Sequence, residues 1–265
     1  MKNKKRFQFV ILAGLLFSTG CTRLDLVPED RFTDTTYWTT IPKAQTAVNT
    51  AYSQMMGSGQ FFYNEALSDN AYNGRGDNSG AASIGAGIFD ASLGRFKDEW
   101  NSRYAGIKTC NLILSNIDNI KNADPGQIAR MKAETRVLRA WQHFMLTTWY
   151  GDIPLLDHDP SLEEATSISR TSHAEVINFV LNELNAAIAI LPTKQQYSAS
   201  ENGKITSGAA LALKARVLLY EGRWSEVVDA TEALMSGQEG TYSLFPSYSG
   251  LFLPDNEFSS EDILS

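Results

Sequence analysis

Apolar residues recur along most of the chain with the period of an α-helix. Ala44, Ala47, Val48, Ala51, Tyr52 and Met55 stand at i, i+3, i+4, i+7, i+8 and i+11, which lines one helical face. Thr40 offers an N-cap, Pro42 fits the first turn, and Gly57-Ser58-Gly59 predicts the stop. The same period predicts a helix over 98–120, with Trp100, Tyr104, Ile107, Leu114 and Ile117 on one face. After the Asp124-Pro125-Gly126 turn it predicts a long helix over 127–149, with Ile128, Met131, Ala133, Val137, Ala140, Phe144 and Leu146 available for burial. Tyr150-Gly151-Asp152 stops it, and Ile153-Pro154-Leu155 is extended because proline disfavours helix in the residue before it. Residues 157–171 read as a loop. Ser172 and Glu175 have capping-box spacing and open a further helix, with Val176, Val180, Leu184, Ala187, Ile188 and Leu191 inward and Pro192 at its close.

Residues 206–237 read as two helices folded back on each other. Ala209, Ala212, Leu213, Ala215, Leu218 and Leu219 form the apolar face of the first, and Gly222 makes the turn. Trp224, Val227, Val228, Ala230, Thr231, Leu234 and Met235 give the second an inward stripe, ended by Gly237. A small residue at 215, a glycine turn and an aromatic after it follow the tetratricopeptide pattern. Such a unit cannot bury its own apolar face, so neighbouring elements are expected to stack on it. Tyr242, Leu244, Phe245, Tyr248, Leu251 and Phe252 are too apolar for a free tail and are expected to pack back on this hairpin. The predicted class is all-α, with tetratricopeptide-like helix pairs and long irregular loops.

One stretch breaks the helical rhythm. Between Gln60 and Phe96 lie glycines at 74, 76, 80, 85, 87 and 94, many Asn, Asp and Ser, and isolated aromatics. Long irregular segments within a compact domain tend to carry function. Aromatic faces suit the C–H surfaces of a sugar, and amides, carboxylates and guanidinium groups suit its hydroxyls. Asp69, Asn70, Tyr72, Arg75, Asp77, Asn78 and Phe89 are therefore the candidate ligand-binding residues. The competing reading of the same residues is a solvated surface loop.

The N-terminus changes the picture of where the protein works. Lys2, Lys4, Lys5 and Arg6 form a basic region, Phe7 to Phe17 an apolar one too short to span a bilayer, and Ser18-Thr19-Gly20 a cleavage region before Cys21. Residues 1–20 read as an export signal and 21–40 as a tether, leaving 41–265 as the helical domain. The net charge is −7, and loss of the four basic residues of the signal makes it −11, which argues against nucleic acid as a partner. Cys110, the second of two cysteines, sits on a helical pattern and reads as a buried, inert thiol.

Catalysis finds little support. There is no HExxH, GxSxG or GxxxxGK[ST], and His143, His158 and His173 lack metal-ligand spacing. Asp69, Asp77 and Asp90 share a loop region, but glycoside hydrolysis needs two carboxylates at fixed separation on a rigid frame. Glu134, Arg136 and Arg139 read as structural ion pairs, and Asn111 as a partner of nearby backbone. Neither a metal nor a cofactor is expected.

Several phrases together resemble the SusD/RagB family of nutrient-binding lipoproteins. They are Phe17-Ser18-Thr19-Gly20-Cys21, similar to a lipobox; Ala47 to Tyr52; Trp100-Asn101-Ser102-Arg103-Tyr104 through Asn111; Ala133 to Ala140; Tyr150 to Leu155; Ser169-Arg170-Thr171; Gly208 to Arg216; and Tyr220 to Trp224. The resemblance covers nearly all the chain after residue 20 and fits the N-terminal half of a family member. It implies lipidation at Cys21, anchorage on the outer membrane facing outward, and partnership with a TonB-dependent SusC-like transporter. It also implies binding of oligosaccharide, or of peptide in RagB-like members, without catalysis. A helical scaffold that binds only a protein partner is the alternative.

Overall fold

The computed structural model describes residues 37–57, 63–73 and 80–264. The α-helices among them include α1 (Ile41–Ser53), α2 (Ala81–Gly85), α3 (Gly94–Asn116), α4 (Pro125–Tyr150), α5 (Leu162–Ser167), α6 (His173–Ile188), α7 (Ser207–Tyr220), α8 (Trp224–Met235) and α9 (Tyr248–Leu251). The described residues contain no strand beyond a single antiparallel bridge between Ile153 and Thr171.

The 26-residue α4 is the axis of the fold, about 39 Å long at 1.5 Å per residue. Asp124 caps its start by accepting a hydrogen bond from Gln127 N, and Pro125 enters the first turn where its missing N–H costs nothing. Every apolar residue the period assigns to its core is buried. It packs against α3 on one side and α6 on the other; α6 in turn packs on α7, and α7 on α8. Each long helix thus covers its sequence neighbour, the stacking that tetratricopeptide-like pairs require. α1 lies across α3 and α4.

Between these helices the polar groups are paired. Arg139 donates from Nε and Nη2 to Glu183 Oε2, at 2.9 and 2.6 Å, and from Nη1 to Asn111 Oδ1 at 2.7 Å. Arg136 reaches Glu183 Oε1 at 2.5 Å. Asn111 donates to the carbonyls of Leu156 and His158, as a backbone partner should. The ion pairs expected around Glu134 are arranged differently. The two arginines pair with Glu183 of α6, one helix away, while Glu134 accepts from Tyr52 Oη at 3.0 Å and lies 3.8 Å from Arg130. Cys110 is buried, and burial pushes its thiol up to about 12, so it stays a protonated, unreactive group.

Four expectations are corrected. α1 stops at Ser53, four residues before Gly57. Residues 157–171 are not all loop: Ser161 and Glu164 form a reciprocal capping box that starts α5. In α8 only Ala230 is buried, whereas Trp224, Val228 and Met235 are exposed, because α8 packs on α7 and on no further long helix among the described residues. The segment after Gly237 packs back on the hairpin through Tyr242 alone of its predicted aromatics, its hydroxyl lying against Gly208 and 3.4 Å from Thr206 Oγ1 at the start of α7; polar contacts tie down the rest. Gln195 bonds both N–H and carbonyl of Thr241, and Lys194 donates to the carbonyls of Ser259 and Asp262. Leu244, Tyr248 and Phe252 stay exposed.

Candidate functional site

The N-terminal turns of α3 and the C-terminal end of α4 meet at one end of the fold. Tyr150 Oη donates to the Phe96 carbonyl at 2.8 Å, and burial raises the pKa of this phenol, keeping it a donor. The Trp100 ring stands edge-on beneath Tyr150 at 5.1 Å and 5.0 Å from Tyr104. Tyr104 donates to the Pro154 carbonyl at 2.8 Å and so fixes the extended segment that follows α4. Gly151, at φ +69°, ends α4 by turning the chain sharply away, a conformation that strains any residue with a Cβ. Trp149 is thereby left half-exposed at the helix end.

Against this platform stands the stretch from Ile84 to Ala91. Between them is a cavity of about 470 Å³, lined by Asn64, Leu67, Ile84, Phe89, Asp90, Ala91, Arg95, Phe96, Glu99, Trp149 and Tyr150. That volume lies within the range of small-ligand sites, and the aromatic lining with a few polar groups is their usual composition. Phe89 and Phe96 pack edge to face at 5.7 Å. The polar groups are held in place. Arg95 Nη2 donates to Asn64 Oδ1 at 2.5 Å, and Glu99 accepts from Arg103 at 2.7 Å. Asp90 accepts from the N–H and hydroxyl of Ser92, which hold its carboxyl below the usual carboxylate range.

Of the sequence-derived candidates, Phe89 lines this cavity. Asp69, Asn70 and Tyr72 are exposed and line none of it, Tyr72 being 87% accessible. Arg75, Asp77, Asn78 and the lipid-attachment candidate Cys21 lie outside the described residues. Trp149 and Tyr150 are not singled out by the loop composition because they lie at the end of a predicted helix; Arg95 and Phe96 fall at the edge of the irregular stretch, but α3 begins at Gly94, four residues before the expected start at 98, and makes them helical. The available signal was the Trp149-Tyr150 pair directly before a helix-stopping glycine.

A second concavity of about 500 Å³ is lined by Gln45, Asn49, Tyr52 and residues 200–204. Tyr52 is its single ring, and its hydroxyl is spent inside the fold, donating to Glu134 and accepting from Ile205 N at 2.8 Å. It offers no aromatic wall. Among the described residues no group of three or more His, Cys, Asp or Glu could hold a metal ion, and no helix is long and apolar enough to cross a membrane.

Comparison with known proteins bears on the family. Residues 24–219 match the SusD-like family profile described as starch-binding associating with outer membrane. The chain belongs to the SusD-like family. SusD-like protein P25 of Formosa agariphila is 28% identical over 189 residues, 70% of this chain and 35% of the relative. A SusD-like carbohydrate-binding protein from Bacteroides fragilis superposes with a TM-score of 0.77 at 29% identity, over 86% of this chain and 46% of that one. A laminarin-binding SusD-like protein gives 0.76 at 25% identity, over 85% and 51%. This SusD-like chain therefore spans about a third to a half of the relatives it matches. The solved relatives share its all-α arrangement, and the family match points to no enzyme class.

Proposed function

We propose that this chain captures oligosaccharide at the bacterial cell surface and passes it to a TonB-dependent, SusC-like transporter of the outer membrane. Residues 1–20 direct export, a lipidated Cys21 anchors the protein, and residues 21–40 tether the helical domain. The protein performs no catalysis; its work is binding. The observation that carries this reading is the aromatic-walled cavity between Phe89 and the end of α4, in a chain of the SusD-like family. Names of relatives support it: one is a laminarin-binding protein, another a carbohydrate-binding protein.

Isothermal titration of the purified chain against a panel of oligosaccharides and peptides tests the reading. Saturable saccharide binding, weakened by Phe89→Ala and unaffected by Tyr72→Ala, supports it. A folded protein that binds no saccharide refutes it. Anchorage is tested by incorporation of a labelled fatty acid in a Bacteroidetes-type host, which Cys21→Ala should abolish.

The alternative, a scaffold that binds a protein partner, is favoured by a different observation. Trp224, Val228 and Met235 present an uncovered apolar row on α8, a feature common at protein contacts. Copurification of a transporter with no soluble ligand for the cavity would select it.

A further inference from the structure

The cavity at the end of α4 is apolar in a way that bears on which part of a ligand enters it. Leu67, Ile84, Phe89, Ala91, Phe96 and Trp149 supply its apolar wall. The polar groups beside them are already engaged with protein partners. Arg95 donates to Asn64 Oδ1, Glu99 is held by Arg103, Asp90 accepts twice from Ser92, and the Tyr150 hydroxyl is given to the Phe96 carbonyl. Arg95 and Glu99 have further interactions besides. The wall therefore contains hydrogen-bonding atoms but spends them on itself.

A sugar ring drawn fully into such a space would fare poorly. Every hydroxyl carried in gives up hydration, and one left without a partner weakens binding by about tenfold or more. An aryl ring gives up nothing of that kind. It also meets suitable neighbours: Phe89 and Phe96 stand edge to face at 5.7 Å, with Trp149 and Tyr150 lining the same space, and aromatic rings favour one another at centroid separations of about 4.5–7 Å. Room is ample. A cavity of about 150 Å³ lined by Leu, Ile and Phe takes up benzene, and this one measures about 470 Å³. Phe89 and Trp149 are half-exposed, so the cavity opens to solvent, where a saccharide carrying such a ring keeps its hydroxyls in water.

Resting on the saccharide-capture reading above, we infer that the cavity receives an aryl substituent carried by the oligosaccharide, an aromatic ester or ether, while the sugar chain lies at its mouth. The purified chain is titrated with matched methyl, butyl and phenyl glycosides of two trisaccharides, one a β-glucan and one a xylan fragment, and with benzyl alcohol and a Phe-rich peptide. The phenyl glycoside of at least one trisaccharide is expected to bind at least about tenfold more tightly than its methyl counterpart, with a more negative ΔCp, the mark of buried apolar surface. Phe89→Ala should bring that ratio below about threefold, and Leu67→Gln, which puts an amide into the wall, should do the same. Both positions lie outside α3 and α4, and circular dichroism melts like the parent's show that the fold is kept. Equal affinity for phenyl and methyl glycosides overturns the inference while leaving saccharide capture intact. So does a butyl glycoside that gains as much as the phenyl one, or a phenyl gain that survives both variants. Binding of benzyl alcohol or the peptide with no glycoside bound, or no binding at all, overturns both.

Discussion

Replacing Glu183 by Gln removes one negative charge from the contact between α4 and α6. Both Arg139 and Glu183 have side chains only 6% exposed, and two of the guanidinium nitrogens of Arg139 bond the same carboxylate oxygen. Arginine cannot shed its proton, so the variant leaves a buried cation without its counter-charge. Breaking a buried pair in this way costs about 3–5 kcal/mol. Two acceptors remain for Arg139, Asn111 Oδ1 at 2.7 Å and the Asp157 carbonyl at 2.6 Å, which places the loss near the lower end, about 3 kcal/mol. Arg136 is 36% exposed and can turn to water, so its share is small. For a chain of this size a loss of about 3 kcal/mol lowers Tm by about 6–12 °C. Urea and thermal unfolding followed by circular dichroism measure both quantities. Glu226→Gln, which breaks the exposed pair to Arg223, serves as the control and should leave stability essentially unchanged. Arg139→Met and Glu183→Leu combined should cost less than their sum by about 1 kcal/mol or more. A loss below about 1 kcal/mol for Glu183→Gln, or strict additivity of the pair, would refute the assignment of this contact as a desolvated, coupled ion pair.

Three further outcomes follow from the structure. A Cβ on Gly106 would lie 2.6 Å from Gln142 Nε2, which donates to the Gln54 carbonyl, so Gly106→Ala should cost about 1–3 kcal/mol in urea unfolding; Gly94→Ala, with open space around it, should be neutral or stabilising by up to about 1 kcal/mol. Burial depresses the pKa of His143 from its ordinary 6.5 to about 4. The unfolded chain then binds a proton that the folded one refuses, so stability falls as pH drops from about 6.5 to 4, on the order of 3 kcal/mol, and His143→Phe should flatten that limb in denaturation measured across pH. Leu218→Ala, at a fully buried position of α7, should cost about 2–5 kcal/mol, whereas Trp224→Ala on α8 should stay within about 0.5 kcal/mol of the parent by thermal melting.

The helices were legible because burial here follows period. In α4 and α6 most of the residues at helical spacing are the ones inside, and Ser172 with Glu175 forms the capping box that their spacing predicts; α4 begins at Pro125 with Asp124 as its N-cap, where the sequence reads as a turn. Periodicity fails where it is asked what covers a face. The stripe from Val227 to Met235 has the spacing of a buried surface, yet a stripe states only that a helix has an apolar side. Whether another element lies against it depends on the rest of the fold, and among the described residues α7 alone does so to any extent. The same limit explains Glu134, Arg136 and Arg139. Their type and spacing predict ion pairing, but the partner that α4 receives depends on the register of α6, which puts Glu183 rather than Glu134 beside the arginines.

The cavity illustrates a deeper reason. Composition located its outer wall, since Phe89 lies in the glycine-rich stretch that departs from helical rhythm. Its inner wall is made of helix ends that sequence reading files as structural. Phe96 and Tyr150 are 54 residues apart, and the packing of α3 on α4, with the Tyr150 hydroxyl on the Phe96 carbonyl and the Trp100 ring against Tyr150, brings them together. Exposed aromatics at a helix terminus are ambiguous alone, because each can be an isolated surface residue. They become a site when tertiary packing makes two termini converge and a loop closes over them, which is a property of contacts far apart in sequence. In this fold the helices supply rigidity to the platform under Trp149, and the loop supplies the opposing ring of Phe89. A site so divided tolerates change in the loop more readily than change in the platform: altering Phe89 alters one wall, whereas loss of the Tyr150 hydroxyl or the Trp100 ring would shift the base on which Trp149 stands.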